Sequence, residues 1–113
     1  MALADNIAPA RAALHSPVAP RAELRRRRDA AADLAEALAG RLAGEVRFDA
    51  ASRALYATDL SIYRQVPIGV VIPKSVEDVE AALAACRERQ VPVLPRGCGT
   101  SLSGQTCNVA VVL

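Results

Sequence analysis

The stretch from Ile68 to Leu94 leaves a chain few ways to fold. It opens with "IGVVIP" (68–73), a short, mostly β-branched apolar run closed by proline, which predicts a buried strand. Ser75 stands where it can cap a following helix, with Asp78 three residues on in a capping-box arrangement. Val76, Val79, Leu83 and Cys86 are predicted as that helix's inner stripe. Glu77, Asp78 and Glu80 load its amino end and Arg87 and Arg89 its carboxyl end, each the favourable sign for the helix dipole. "VPVL" (91–94) is a second strand. Strand, helix and strand make a βαβ unit, so the two strands should run parallel with a right-handed crossover. A third strand, "VAVVL" (109–113), is expected to leave an unpaired sheet edge.

Between the second and third strands lies "LPRGCGTSLSGQT" (94–106). Loops at the carboxyl ends of parallel strands are where open α/β sheets hold ligands. Gly97, Gly99 and Gly104 allow close approach to the main chain, and successive amides in such a turn form an anion-binding nest. Thr100, Ser101, Ser103 and Thr106 add hydroxyls and Arg96 adds charge. A flexible connector explains this composition less well than a phosphate site does.

Two familiar phosphate loops fit badly. "GTSLSGQT" (99–106) has the P-loop spacing, but Gln105 stands where the lysine belongs, and a strand follows where a helix should. The dinucleotide fingerprint GxGxxG needs glycine at 102, which is leucine, and should follow the first strand. A P-loop nucleotidase and a nicotinamide dehydrogenase are both disfavoured.

The order strand–helix–strand–PRGxGTSLxGQ–strand resembles the first half of the FAD-binding domain of the vanillyl-alcohol oxidase / p-cresol methylhydroxylase (PCMH) superfamily, most closely the branch that oxidises glycolate, D-lactate and other 2-hydroxy acids. Two blocks carry the likeness, "LYATDLSIYRQVPIGVVIPKSVEDV" (55–79) and "VPVLPRGCGTSLSGQTCNVAVV" (91–112). The resemblance implies that Pro95, Arg96, Gly97, Cys98, Gly99, Thr100 and Ser101, with Gly104 and Gln105, wrap the FAD pyrophosphate. It places Pro73 and Lys74 toward the adenine. Relatives that bind flavin covalently from this loop carry a histidine where Thr100 stands, which implies non-covalent FAD. Catalytic histidines and arginines of the family lie in parts that have no counterpart among these residues. Long relatives fused to an iron–sulfur region carry a similar loop, and their cluster cysteines would also lie elsewhere.

The rest of the sequence is quieter. Residues 1–20 mix alanine with three prolines and show no period, so a disordered N-terminus is expected, with His15, the single histidine, solvated. From Arg21 to about Ala43 a helix is predicted on the stripe Ala31, Leu34, Leu38, Leu42, between Pro20 and a stop at Gly44. The run "RRRR" (25–28) is followed by Asp29, Asp33 and Glu36, which reads as a solvated face. Over 45–66 a short strand near Val46 is expected, then a segment packed by Tyr56, Leu60 and Tyr63.

The fold class is therefore α+β (α/β-like): an N-terminal helix and connector over 21–52, then over 53–113 the βαβ first half of a PCMH-type FAD-binding domain, incomplete. With one Phe, two Tyr and no Trp, its core is short of large side chains. A net charge of +2 in 113 residues argues against nucleic acid, and no stretch is long and apolar enough for a membrane span. Cys86, Cys98 and Cys107 include no CxxC pair, so neither a zinc site nor a disulfide framework is expected, and the default is a reducing, cytoplasmic setting. The leading expectation is the pyrophosphate-binding portion of an FAD-dependent 2-hydroxy-acid oxidoreductase, a fragment inactive alone. The alternatives are a small assembly module completing a flavin site with a partner flavoprotein chain, and an unrelated phosphate- or nucleotide-binding protein.

Overall fold

The computed structural model describes residues 21–113, so the expectations for 1–20, His15 included, lie outside the described residues. The elements run α1 (Arg21–Ala39), β1 (Glu45–Arg47), α2 (Ala50–Leu55), β2 (Gly69–Ile72), α3 (Val76–Glu88), β3 (Val93–Leu94) and β4 (Val111–Val112). They build one four-stranded sheet in the order β1-β2-β4-β3. β1 pairs antiparallel with β2, and β4 pairs parallel with both β2 and β3. The two strands of the predicted βαβ unit do run parallel, but β4 lies between them.

That placement corrects the expected open edge. β4 is the central strand, and the edges are β1 and β3. Composition explains the order. Ala110, Val111 and Val112 are all buried, as suits a strand covered on both faces. β3 is bracketed by Pro92 and Pro95, which lack the amide a central strand needs, and proline is confined to such edges.

α1 buries Leu34 and Leu38 on the predicted stripe, while Arg25, Arg26 and Asp29 are exposed. It ends at Ala39, earlier than predicted, where the amides of Arg41 and Leu42 both return to the Leu38 carbonyl. Gly44 has a different task from the predicted stop. A Cβ there would run into the backbone carbonyl of Ile72 and come within 2.9 Å of the Asp78 carboxylate.

α3 is turned by one residue, about 100°, from the predicted stripe. Its buried residues are Asp78, Ala82, Ala85 and Cys86, whereas Val76 and Leu83 are exposed. Asp78 sets the rotation. Its carboxylate accepts the amides of Ala43 and Lys74, both at 2.9 Å, which requires it to face inward. Ala82 and Ala85 then let the helix lie close to Leu34, Leu38, Val71 and Val111, and these residues with Cys86 form the core cluster. No aromatic side chain belongs to that cluster, as the composition foretold.

The carboxyl end of α3 closes without glycine. Gln90 takes φ 53, its amide bonds the Arg87 carbonyl at 3.1 Å, and the Val91 amide bonds the Cys86 carbonyl at 2.9 Å, which is a Schellman motif. Arg89, just before it, pairs with Asp33 of α1 at 2.6 Å.

Candidate functional site

The loop leaves the sheet at the carboxyl end of β3. Its first amide, that of Arg96, extends the ladder by bonding the Leu113 carbonyl at 2.8 Å. The next five amides, Gly97, Cys98, Gly99, Thr100 and Ser101, donate to no acceptor among the described residues. Cys98 and Thr100 are exposed, Gly99 is buried and Ser101 is half-buried. A run of adjacent N–H groups with no internal partner is the backbone arrangement that holds an anion.

Beyond Thr100 the loop ties itself up. The Ser101 hydroxyl accepts the amides of Ser103 (3.3 Å) and Gln105 (3.2 Å) and donates to the Gln105 side-chain oxygen at 2.5 Å. Both the amide and the carboxamide oxygen of Gln105 are therefore engaged within the loop. Gly104 adopts φ 77 against the Tyr63 ring.

Arg96 does not point its charge outward. Its guanidinium donates to the carbonyls of Tyr56 (3.3 Å), Thr58 (2.8 Å) and Thr106 (3.1 Å), and it stacks over the Tyr56 ring at 5.4 Å. Gly99 sits against it at φ 71, where a Cβ would lie 2.5 Å from a guanidinium nitrogen. The Gly99 carbonyl accepts the Leu60 amide at 3.1 Å. Asp59 completes the contact, accepting the Ser61 amide at 2.8 Å and the Thr106 hydroxyl at 2.9 Å. Those bonds, from Ser61 first and Thr106 second, hold its carboxyl well below the usual carboxylate range.

Pro95, Gly97 and Cys98 lie exposed at the loop's start. Pro73 and Lys74 follow β2, which is two strand spacings, roughly 10 Å, from β3 across β4. The Lys74 amide is engaged by Asp78, leaving only its ammonium free to reach out. The structure thus gathers 95–105 into one site and sets Pro73 and Lys74 apart on the same edge of the sheet.

Tyr56, Thr58, Asp59 and Leu60 were missed as parts of this site. The expectation that Leu60 and Tyr63 pack inward is also corrected, because their side chains are 65% and 56% exposed. What this segment gives the loop is mainly backbone. The signal available was the "TDL" within the first resembling block, but nothing local says which carbonyls a distant arginine will bond.

A groove of about 640 Å³ lies at the other end of the parallel strands, lined by Arg26, Ala30, Ile68, Arg89, Val91 and Val109 among others. None of the predicted site residues lines it. No helix among the described residues is long and apolar enough to cross a membrane.

A parallel α/β unit whose strand-end loop presents a row of free amides is a phosphate-binding unit by construction. Comparison with known proteins makes the class specific. Residues 67–113 match the family described as the FAD binding domain, and this segment is part of such a domain. The chain is 56% identical over 45 residues to the glycolate oxidase subunit GlcD of Escherichia coli (strain K12), covering 40% of this chain and 9% of that protein. It is 36% identical over 73 residues to D-2-hydroxyglutarate dehydrogenase of Pseudomonas putida, covering 62% of this chain and 7% of that one. Among solved structures, Physcomitrella patens BBE-like 1 superposes with a TM-score of 0.59 at 22% identity, over 70% of this chain and 18% of the other, a likeness of fold. The chain thus spans less than a tenth of the length of these curated relatives.

Proposed function

We propose that this chain supplies the pyrophosphate-binding portion of an FAD-dependent oxidoreductase acting on 2-hydroxy acids of the glycolate and D-lactate type. The observation that carries the reading is the row of five free amides from Gly97 to Ser101 at the carboxyl end of β3. The donors suit a diphosphate, being neutral, adjacent and already turned away from the sheet. The similarity to the glycolate oxidase subunit and the D-2-hydroxyglutarate dehydrogenase supports the substrate class. Within the loop, Gly97, Cys98, Gly99, Thr100 and Ser101 hold the phosphates through their backbone, while Gly104 and Gln105 shape the turn. Pro95 opens the loop, and Pro73 and Lys74 stand toward the adenine.

The flavin is held non-covalently, since Thr100 occupies the position of the attaching histidine in covalent relatives. Acid precipitation should release it into the supernatant. The three free cysteines suit a reducing, cytoplasmic compartment. The side chains that act on the hydroxy acid come from other residues of the flavoprotein or from a partner chain. Leu60, Ile62 and Leu102, 65%, 95% and 77% exposed on or beside the loop, favour a covering element there.

The test is a titration of the chain with FAD and with inorganic pyrophosphate, followed by amide resonances. Both ligands should shift the five amides of 97–101 first, with weak affinity, and the chain should not reduce a dye acceptor with glycolate or D-lactate. Binding that leaves those five resonances in place would overturn the cradle. Turnover by this chain would overturn the assignment of catalysis to residues elsewhere.

A further inference from the structure

The guanidinium of Arg96 has three carbonyl acceptors and an aromatic face inside the protein, so it is fully engaged before any ligand arrives. Two of the carbonyls, Tyr56 and Thr58, lie outside the segment 67–113 that matches the FAD binding domain. The same stretch returns a second tie, the Asp59 carboxylate on the Thr106 hydroxyl, and a third, the Leu60 amide on the Gly99 carbonyl. Residues 56–60 are themselves pinned, by the Gln65 amide on the Ala57 carbonyl at 2.9 Å and by the bridge between Thr58 and Arg64. The loop is therefore gripped at Arg96, Gly99 and Thr106 by one upstream segment.

From this juxtaposition we infer that Arg96 is a positioning residue and not a phosphate ligand: with Asp59 it clamps the loop to residues 56–60, and that clamp holds the amides of 97–101 turned outward. The inference rests on the cradle reading proposed above. It makes 56–113 the smallest unit that presents the site. The geometry of the arginine decides the point. A lysine at 96 keeps the charge but offers one compact donor head, so it cannot span three carbonyls on two segments. A residue that acted by charge alone would tolerate the exchange.

The experiment compares the full chain with its Arg96→Lys variant, by amide hydrogen exchange without ligand and by titration with inorganic pyrophosphate. The clamp predicts that Arg96→Lys lowers protection of the Leu60 amide by about tenfold or more, a loss of the order of one charge-assisted hydrogen bond. Amides within α3 should keep theirs, and pyrophosphate affinity should fall although the charge is retained. Unchanged Leu60 protection in Arg96→Lys would overturn the clamp. So would pyrophosphate affinity equal to that of the parent chain. Should the substitution loosen α3 as well, Thr106→Val decides, because it removes only the hydroxyl on Asp59. Leu60 protection should then drop several-fold, and full protection there counts against the clamp. If the parent chain shows no response to pyrophosphate, the cradle reading fails, while the exchange data still decide the clamp.

Discussion

Two connections leave the carboxyl edge of the same sheet, and they treat their backbone donors in opposite ways. After β2, the turn Pro73–Ser75 is closed. The Asp78 carboxylate accepts the Lys74 amide and, from across the fold, that of Ala43, while the Ser75 hydroxyl accepts the Asp78 amide at 3.2 Å. After β3, the loop is open, and five consecutive amides point at no protein acceptor among the described residues. The first connection carries its own anion and the second lacks one. A helix amino end is often read as the anion site of an α/β unit. Here the protein has filled that place with a buried aspartate and left the vacancy one connection later.

Emptying the closed turn should break the comparison most severely. Asp78→Ala leaves the amides of Ala43 and Lys74 without their partner in a buried setting, and it frees α3 to rotate about its axis. The expected outcome is loss of the cooperative thermal transition, read by circular dichroism at 222 nm or by the dispersion of amide resonances. Acid probes the same carboxylate. The amides of Lys74 and then Ala43 hold the Asp78 carboxyl below its ordinary range. Its contribution is accordingly present above the unfolded carboxylate value, about 3.9, and is lost as pH falls through the lower folded one. Asp59, held down by Ser61 and Thr106, carries the same sign. The closed turn and the clamp should therefore weaken together in acid, below about pH 4. A stability profile flat from pH 6 to pH 2 would contradict both assignments.

Disturbing the open loop should cost binding more than folding. At Gly99 a methyl group faces a left-handed backbone and the pinned guanidinium of Arg96. The conformational penalty alone is about 1–2 kcal/mol, which is roughly a tenfold loss or more if it falls on the bound geometry. Gly99→Ala should thus lower pyrophosphate affinity at least about tenfold while α3 keeps its exchange protection. If α3 loses protection to the same degree, the loop is part of the core and the contrast between the two connections dissolves.

What could be read in advance divides along the same line. The βαβ order, the Ser75 cap, the Leu34 and Leu38 stripe and the strand near Val46 all follow from periodicity and turn chemistry within a few residues. The loop was legible as a phosphate site because its glycines and hydroxyls are contiguous. The central place of β4 was harder to see, since strand order depends on which run is apolar on both faces, and the prolines around Val93 were its only local hint. The rotation of α3 depends on a carboxylate meeting the Ala43 amide, 35 positions away. Arg96 looked like a charge offered to a ligand because its three acceptors are main-chain carbonyls, and carbonyls leave no mark in a sequence.

The smallest effect belongs to the far end of α3, and there the argument about glycine reverses. Gln90 holds φ 53 as the left-handed residue of a Schellman motif, a position where glycine meets no steric penalty and a longer side chain does. It is exposed and lies at the opposite end of the sheet from the loop. Gln90→Gly should raise stability by about 0.5–1 kcal/mol, an increase of roughly 4 °C or so in the thermal midpoint of a domain this size. Pyrophosphate affinity should not change. The two substitutions together form the sharper test: taking glycine out at φ 71 should weaken binding, and putting it in at φ 53 should strengthen the fold. Both predictions rest on the same backbone preference. A neutral or destabilising Gln90→Gly would mean that the glutamine side chain holds the motif by contacts of its own. The expected cost at Gly99 would then have to be attributed to the Arg96 guanidinium rather than to the turn.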